Sequence, residues 1–327
     1  MDASRSTKLG FPRPSSVAML MIVAAALLAA CVALVVAAQE PARATFPGQN
    51  GDIAFVGGDA DGAYQIFTVS PSGANLRQLT FDKTLKESPA WSPDGRRIAF
   101  VRWGPRGRDI YTMNADGSGE VAITSDKRDD YDPAWSPDSK RLVFSRDVGK
   151  QPYSNRDLFT VRRDGTHPVR LTRTDEIEEG PAWSPDGIKI AFSRCTSGGG
   201  VGGIYAMKAD GSEAPSAVVS AGCSQTLALG EVDWSPDGQW LAYEQATSHG
   251  STVWKVRADG AQQTFLTSGA VGSPEPDAHS PAWSPDGTKI AFSSGSSLYT
   301  MDTDGNNNVQ SIVEGIGWEP SWRPVVP

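Results

Sequence analysis

Two hydrophobic patterns divide the chain. Val17 to Ala38 is one unbroken apolar run, 22 residues without a charge. From Phe46 onward the apolar residues come in short bursts, rich in Ile, Val, Phe and Tyr and separated by Gly, Asp, Ser and Pro. Short β-branched or aromatic bursts bounded by turn-forming residues are the signal of strands. No stretch after Phe46 sustains the 3.6-residue period or the capping residues of a helix. Asp-Gly pairs such as Asp116-Gly117 and Asp259-Gly260 separate neighbouring bursts and predict hairpin turns.

The bursts repeat. Pro89-Ala90-Trp91-Ser92-Pro93-Asp94-Gly95 returns at 133–139, 181–187, 232–238 and 281–287, with a degenerate copy at Trp322-Arg323-Pro324. After each full copy comes an Ile-Ala-Phe-like burst, as at Ile98-Ala99-Phe100 and Ile290-Ala291-Phe292. An aliphatic–aromatic pair such as Ile110-Tyr111 follows, then a Gly turn and a short fourth run. Four antiparallel strands at this period describe one blade of a β-propeller. The first copy, at Ile53-Ala54-Phe55, lacks its tryptophan strand, and the C-terminus carries a spare one at Pro320-Ser321-Trp322. Joining the two completes a sixth blade and leaves no open edge. The predicted fold is all-β: a six-bladed β-propeller of four-stranded antiparallel blades over residues 45–327, closed by pairing of its first and last strands, after an N-terminal apolar signal or anchor helix within 1–44.

The repeated Pro-x-Trp-Ser-Pro-Asp-Gly, followed by Ile-Ala-Phe and Ile-Tyr, resembles the TolB-type propeller repeat over roughly residues 50–327. Similar propellers occur in the TolB protein of the Tol–Pal system and as the non-catalytic domain of prolyl-oligopeptidase-like enzymes. The resemblance implies a bacterial, periplasmic binding module. TolB itself joins an α/β domain to its propeller, whereas here only a few residues separate Ala44 from the first strand burst.

Residues 1–44 read as a targeting segment. Arg5, Lys8 and Arg13 precede the apolar run, and Ala42-Arg43-Ala44 fits a small-x-small cleavage site. The run is also long enough to span a bilayer. Leu28-Ala29-Ala30-Cys31 resembles a lipoprotein box, although the apolar stretch continues past Cys31. Cleaved signal, retained anchor and lipid attachment stand as alternatives. Each places the remainder outside the cytoplasm, in the periplasm or at the cell surface, with membrane contact through this segment only.

Charge narrows the partners. The net formal charge is −8, and without residues 1–44 the balance is 26 basic against 36 acidic. No Lys/Arg block supplies the basic stripe that nucleic acid requires. His167, His249 and His279 stand too far apart for a His-x-x-x-His zinc site, and neither a Gly-x-Ser-x-Gly elbow nor a phosphate loop exists. Cys195 and Cys223, in an oxidising compartment, are expected to form a disulfide around 27 intervening residues.

Strand direction selects a face. With each tryptophan strand rising, the Ser-Pro-Asp-Gly and Asp-Gly turns share one end, and the longer connections, including Arg102–Arg108 and Cys195–Gly203, share the other. Three or four residues before each tryptophan, at that second end, stand Glu87, Asp132, Glu179, Glu231, His279 and Glu319. With the tryptophan strand innermost, all six are expected at the mouth of a central channel, where their negative potential suits a basic peptide, an amine or Ca²⁺. Trp103 and Trp318 fall in connections at the same end and are candidate ligand-stacking residues. The expected function is a monomeric, non-catalytic propeller that binds a protein or peptide on its long-loop face. The alternative is a carbohydrate-active lyase or glycosidase-like enzyme using two channel carboxylates.

Overall fold

The computed structural model describes residues 48–149, 155–196, 200–223, 229–247, 250–267, 277–305 and 308–325, with backbone only at Val201, Cys223 and Leu229. The predicted signal or anchor helix lies outside them. Among the described residues every regular element is a strand, and no helix is long and apolar enough to cross a membrane.

The strands group in fours. β1 (Gln49–Gly58), β2 (Tyr64–Val69) and β3 (Arg77–Gln78) form the first group with the final strand of the chain. The second is β4 (Lys86–Trp91), β5 (Arg97–Gly104), β6 (Gly107–Asn114) and β7 (Val121–Ala122). The third comprises β8 (Asp130–Trp135), β9 (Arg141–Asp147), β10 (Arg156–Arg162) and β11 (Val169–Arg170). The fourth comprises β12 (Glu176–Trp183), β13 (Lys189–Thr196), β14 (Gly200–Lys208) and β15 (Ser216–Cys223). β16 (Leu229–Trp234), β17 (Trp240–Thr247), β18 (Gly250–Arg257) and β19 (Thr264–Thr267) make the fifth. β20 (His279–Trp283), β21 (Lys289–Ser294), β22 (Ser297–Asp302) and β23 (Gln310–Val313) make the sixth. β24 (Trp318–Val325) returns to β1, pairing Ile53 with Trp322 and Ala54 with Ser321 as the phase of the repeat predicts. Within each group the pairing is antiparallel; a parallel bridge from Arg156 to Ile177 joins the third group to the fourth, and another links Ser251 to Asp277.

Neighbouring groups pack through their first strands. β4 touches β8, β8 touches β12, β12 touches β16, β16 touches β20, β20 touches β24, and β24 touches β4. The Ile-Ala-Phe strand explains the packing, because alternate residues face opposite sides of a sheet. Ile98 and Phe100, with Trp91, pack on Ala54, Val56 and Ile66 of the preceding group. Ala99 faces the other way, and its small side chain makes room for Trp135 and Phe144 of the next. Ile98, Ala99 and Phe100 are all fully buried. Cross-strand aromatic pairs reinforce the second and third strands: Phe55 on Phe67, Phe100 on Tyr111 and Phe292 on Tyr299 stack at centroid distances of 5.7, 6.0 and 5.6 Å.

The Ser-Pro-Asp-Gly turns have one construction. Ser92 Oγ donates to Asp94 Oδ1 at 2.6 Å and accepts from the Arg97 amide at 2.9 Å, while Gly95 turns with φ 65°. The third group carries Ser139 at that glycine position and still adopts φ 55°, a conformation that costs any residue with a Cβ.

One expected long connection is short. Arg102–Arg108 is a hairpin closed by Pro105 and Arg106, since Gly104 pairs with Gly107 and Trp103 with Arg108. The Arg108 guanidinium lies 3.9 Å from the centroid of the Trp103 ring, and this cross-strand contact extends the ladder where the sequence suggested a loop. Cys195–Gly203 likewise shortens, with β13 running to Thr196 and β14 resuming at Gly200.

Candidate functional site

A bulge at the start of the innermost strands arranges the side chains. Register shifts fall between Glu87 and Ala90, Tyr131 and Ala134, Glu179 and Ala182, Leu229 and Val232, and His279 and Ala282. The residue before the proline takes a left-handed conformation in β4, β8, β12, β20 and β24: φ is 49° at Ser88, 50° at Asp132, 56° at Gly180, 52° at Ser280 and 52° at Glu319. Bulges re-aim side chains locally. Here they separate residues that the sequence placed together.

The six mouth residues occupy two positions rather than one ring. Asp132, Glu231 and Glu319 stand immediately before Pro133, Val232 and Pro320, on the alternate strands β8, β16 and β24. With Ser88 and Gly180 they line a cavity of about 90 Å³. Glu87, Glu179 and His279 stand one residue earlier, on β4, β12 and β20. Glu87 Oε2 is 3.9 Å from Arg108 Nε, and Glu179 accepts from Arg156, which also reaches Asp147 Oδ1 at 3.3 Å. His279 is held between Glu244 Oε1 at 2.9 Å and Asp277 Oδ1 at 2.8 Å.

Hydrogen bonds tie the trio to intervening strands. Glu319 Oε2 accepts from the Ser88 amide at 2.5 Å, and Asp132 Oδ2 from the Gly180 amide at 3.1 Å. Ser88 Oγ adds a bond to Asp132 Oδ1 at 3.3 Å. These side chains are partly accessible where they line the cavity. Burial dominates the electrostatics of Glu231 and Glu319. It pushes the Glu231 carboxyl well above its ordinary range, and the nearby charges of Glu319, Asp132 and Glu244 push it further. Burial raises Glu319 to about 7 against the opposing Ser88 amide. Burial also raises Glu179 despite the Arg156 charge. The bond to Glu244 is the largest effect on His279, which rises to about 9 and is an imidazolium at neutral pH.

Deeper in, Trp91, Trp135, Trp183, Trp283 and Trp322 line a second cavity of about 140 Å³, which Glu231 and the deeper-set Asp233 also line. Asp233 is the new acid here. Its oxygens accept from the amides of Trp234 at 2.9 Å and Trp283 at 2.7 Å, and burial raises it to about 7. Sequence reasoning missed Asp233 and Glu244. The signal was present: Asp233 replaces the alanine of Ala90, Ala134, Ala182 and Ala282, and Glu244 replaces the serine of Ser145, Ser193 and Ser293.

Trp103 lies under Arg108, whose Nη1 donates to Tyr131 Oη at 2.8 Å, and Arg156 covers the Tyr131 ring at 3.8 Å. Trp318 meets Tyr64 at 5.3 Å between centroids. Cys195 is disulfide-bonded, and the Cys223 side chain lies outside the described residues. Among the described residues no group of three or more His, Cys, Asp or Glu is arranged to hold a metal ion.

A family model described as the TolB beta propeller domain matches residues 42–326. A curated protein, the uncharacterized protein Atu1656 of Agrobacterium fabrum, is 29% identical over 111 residues, 28% of this chain and 35% of that protein. The match therefore spans about a third of that relative's length. The crystal structure of TolB from Acinetobacter baumannii superposes with a TM-score of 0.69 at 23% identity, covering 86% of this chain and 68% of that one. Hydrazine synthase of Kuenenia stuttgartiensis superposes with a TM-score of 0.67 at 16% identity, covering 86% of this chain and 47% of that one. At such identities the likeness is one of fold, and the fold carries dissimilar chemistries.

Proposed function

The chain belongs to the TolB β-propeller family, and from that premise we propose a monomeric, non-catalytic, extracytoplasmic binding protein: a closed six-bladed propeller whose channel mouth takes a basic segment of a protein or peptide. The return of strand contacts from β24 to β4 and the pairing of Ile53 with Trp322 support the closed ring. The observation that carries the function is the trio Asp132, Glu231 and Glu319, set on alternate inner strands around a cavity with no Lys or Arg in its wall. A peptide ammonium or guanidinium entering there supplies the missing counter-charge, and a narrow acidic cleft concentrates such partners. Arg108 and Arg156 neutralise Glu87 and Glu179 beside it, so attraction centres on the trio. Trp103 and Trp318 are proposed as flanking contacts, residues 1–44 as signal or tether, and Cys223 as the disulfide partner of Cys195.

Hydrogen exchange with and without an oligolysine peptide tests the assignment. Protection is expected at the starts of β4, β8, β12, β16, β20 and β24. Protection confined to the Ser-Pro-Asp-Gly turns, or none, would reject it. Polysaccharide cleavage that disappears in Glu319→Gln would favour the carbohydrate-active alternative instead.

A further inference from the structure

At the opposite end of the inner strands, the repeat breaks its own rule at one place. Two residues beyond each tight-turn glycine or serine stand Arg97, Arg141, Lys189, Trp240 and Lys289, so only the fifth group carries an aromatic there. The tryptophans they approach differ in a second respect. Trp135, Trp234 and Trp322 donate Nε1 to the carbonyls of Ala90, Ala182 and Ala282. Trp91, Trp183 and Trp283 are equally buried, yet their Nε1 atoms have no partner among the described residues. Arginine covers two of these three rings: Arg323 lies 5.0 Å from Trp91, and Arg141 lies 4.8 Å from Trp183. At the repeat position of Arg141 the fifth group has Trp240, which lines with Trp283 a groove of about 290 Å³. The corresponding groove one repeat earlier, lined by Lys189 and Trp234, is about 250 Å³ and has no second indole.

The groove wall fixes the class of ligand. Trp240 offers an indole surface, Trp283, its Nε1 buried, closes the inner wall, and Lys255 and Asp237 stand beside them. Asp237 spends Oδ1 on Ser235 Oγ and the Gln239 amide. Lys255 donates to the Thr303 carbonyl, with its Nζ 4.9 Å from the Trp240 centroid, and burial lowers its ammonium below the ordinary value. Arg257 also approaches Trp240, at 5.8 Å. The cations disfavour a cationic ligand, while Asp237 and the exposed Asp286 disfavour an anionic one. The volume, roughly that of ten waters at ~30 Å³ each, is enough to admit one small ring. Flat aromatic surface combined with both donors and acceptors suits a ring whose C–H face stacks while its hydroxyls bond. We propose that the groove between Trp240 and Trp283 is a binding site for a single neutral pyranose, independent of the acidic channel mouth.

The test follows the indole N–H signals of the full chain by ¹⁵N–¹H correlation while D-glucose, D-galactose, D-mannose or N-acetylglucosamine is added, with glycerol as control. Trp240→Phe and Trp283→Phe assign the two signals. Saturable shifts of both are expected with at least one sugar and not with glycerol. Trp240→Arg, which restores a basic residue as in the other repeats and removes the stacking indole, is expected to raise the dissociation constant at least about tenfold. The other indole signals report whether that variant folds; should it not, Lys255→Met is expected to weaken binding in the same direction. No saturable shift with any of the four sugars, equal shifts with glycerol, or undiminished binding in the folded variant would each overturn the proposal.

Discussion

Glu319, Asp233 and His279 hold their protons above the ordinary range, the first two because burial penalises their charge and the third because Glu244 and Asp277 stabilise its charge. The consequence for stability has one sign. Unfolded, Glu319 and Asp233 ionise near 4.5 and 3.8, whereas folded they keep their protons to about 7. Across that interval the native state binds more protons, so stability falls as pH rises and levels off above it. His279 adds a second fall between 6.5 and about 9. Asp82, lowered to about 2 with Lys86 and Thr84 as its partners, opposes this only below its ordinary value. Thermal midpoints measured by calorimetry should therefore decline from about pH 5 to about pH 9, and His279→Gln should remove the alkaline part of the decline. A midpoint that rises over this range would contradict the buried-carboxyl account.

Strands are the scale at which most of the sequence could be read. Burst composition, Asp-Gly turns and the tryptophan period gave the strand order, and the phase of the repeat placed Trp322 opposite Ile53. What escaped follows from local geometry. A bulge with Asp132 or Glu319 in the left-handed region leaves no trace in a period of two, so residues one position apart looked equivalent. Trp103 and Arg108 read as loop residues because their stacking across the hairpin exists only once the strands pair. The departures at Asp233 and Glu244 were legible as breaks in the repeat, but their burial was not. Trp322 tests the pairing of the last strand with the first. It is 3% exposed, packs with Ile53 and Ala282, and donates Nε1 to Ala282. Trp322→Ala should cost ~3–5 kcal/mol in urea denaturation. A cost below ~1 kcal/mol would mean that β24 contributes little to the fold.

Over the whole molecule, the two ends of the inner strands serve different chemistry. One end carries tight turns and the Trp240–Trp283 groove, and the other carries the bulges that gather Asp132, Glu231 and Glu319. Burial, with like charges beside them, keeps protons on Glu231 and Glu319 until a cation enters, so a basic ligand and ionisation of this pair should favour each other. The most direct measurement is titration calorimetry of an oligolysine peptide against the full chain and its Glu231→Gln/Glu319→Gln variant, at about pH 6 and about pH 8. The account predicts tighter binding at the higher pH, proton release on binding, and a variant at least about tenfold weaker with no pH dependence. Equal affinity of the two proteins at both pH values would contradict it.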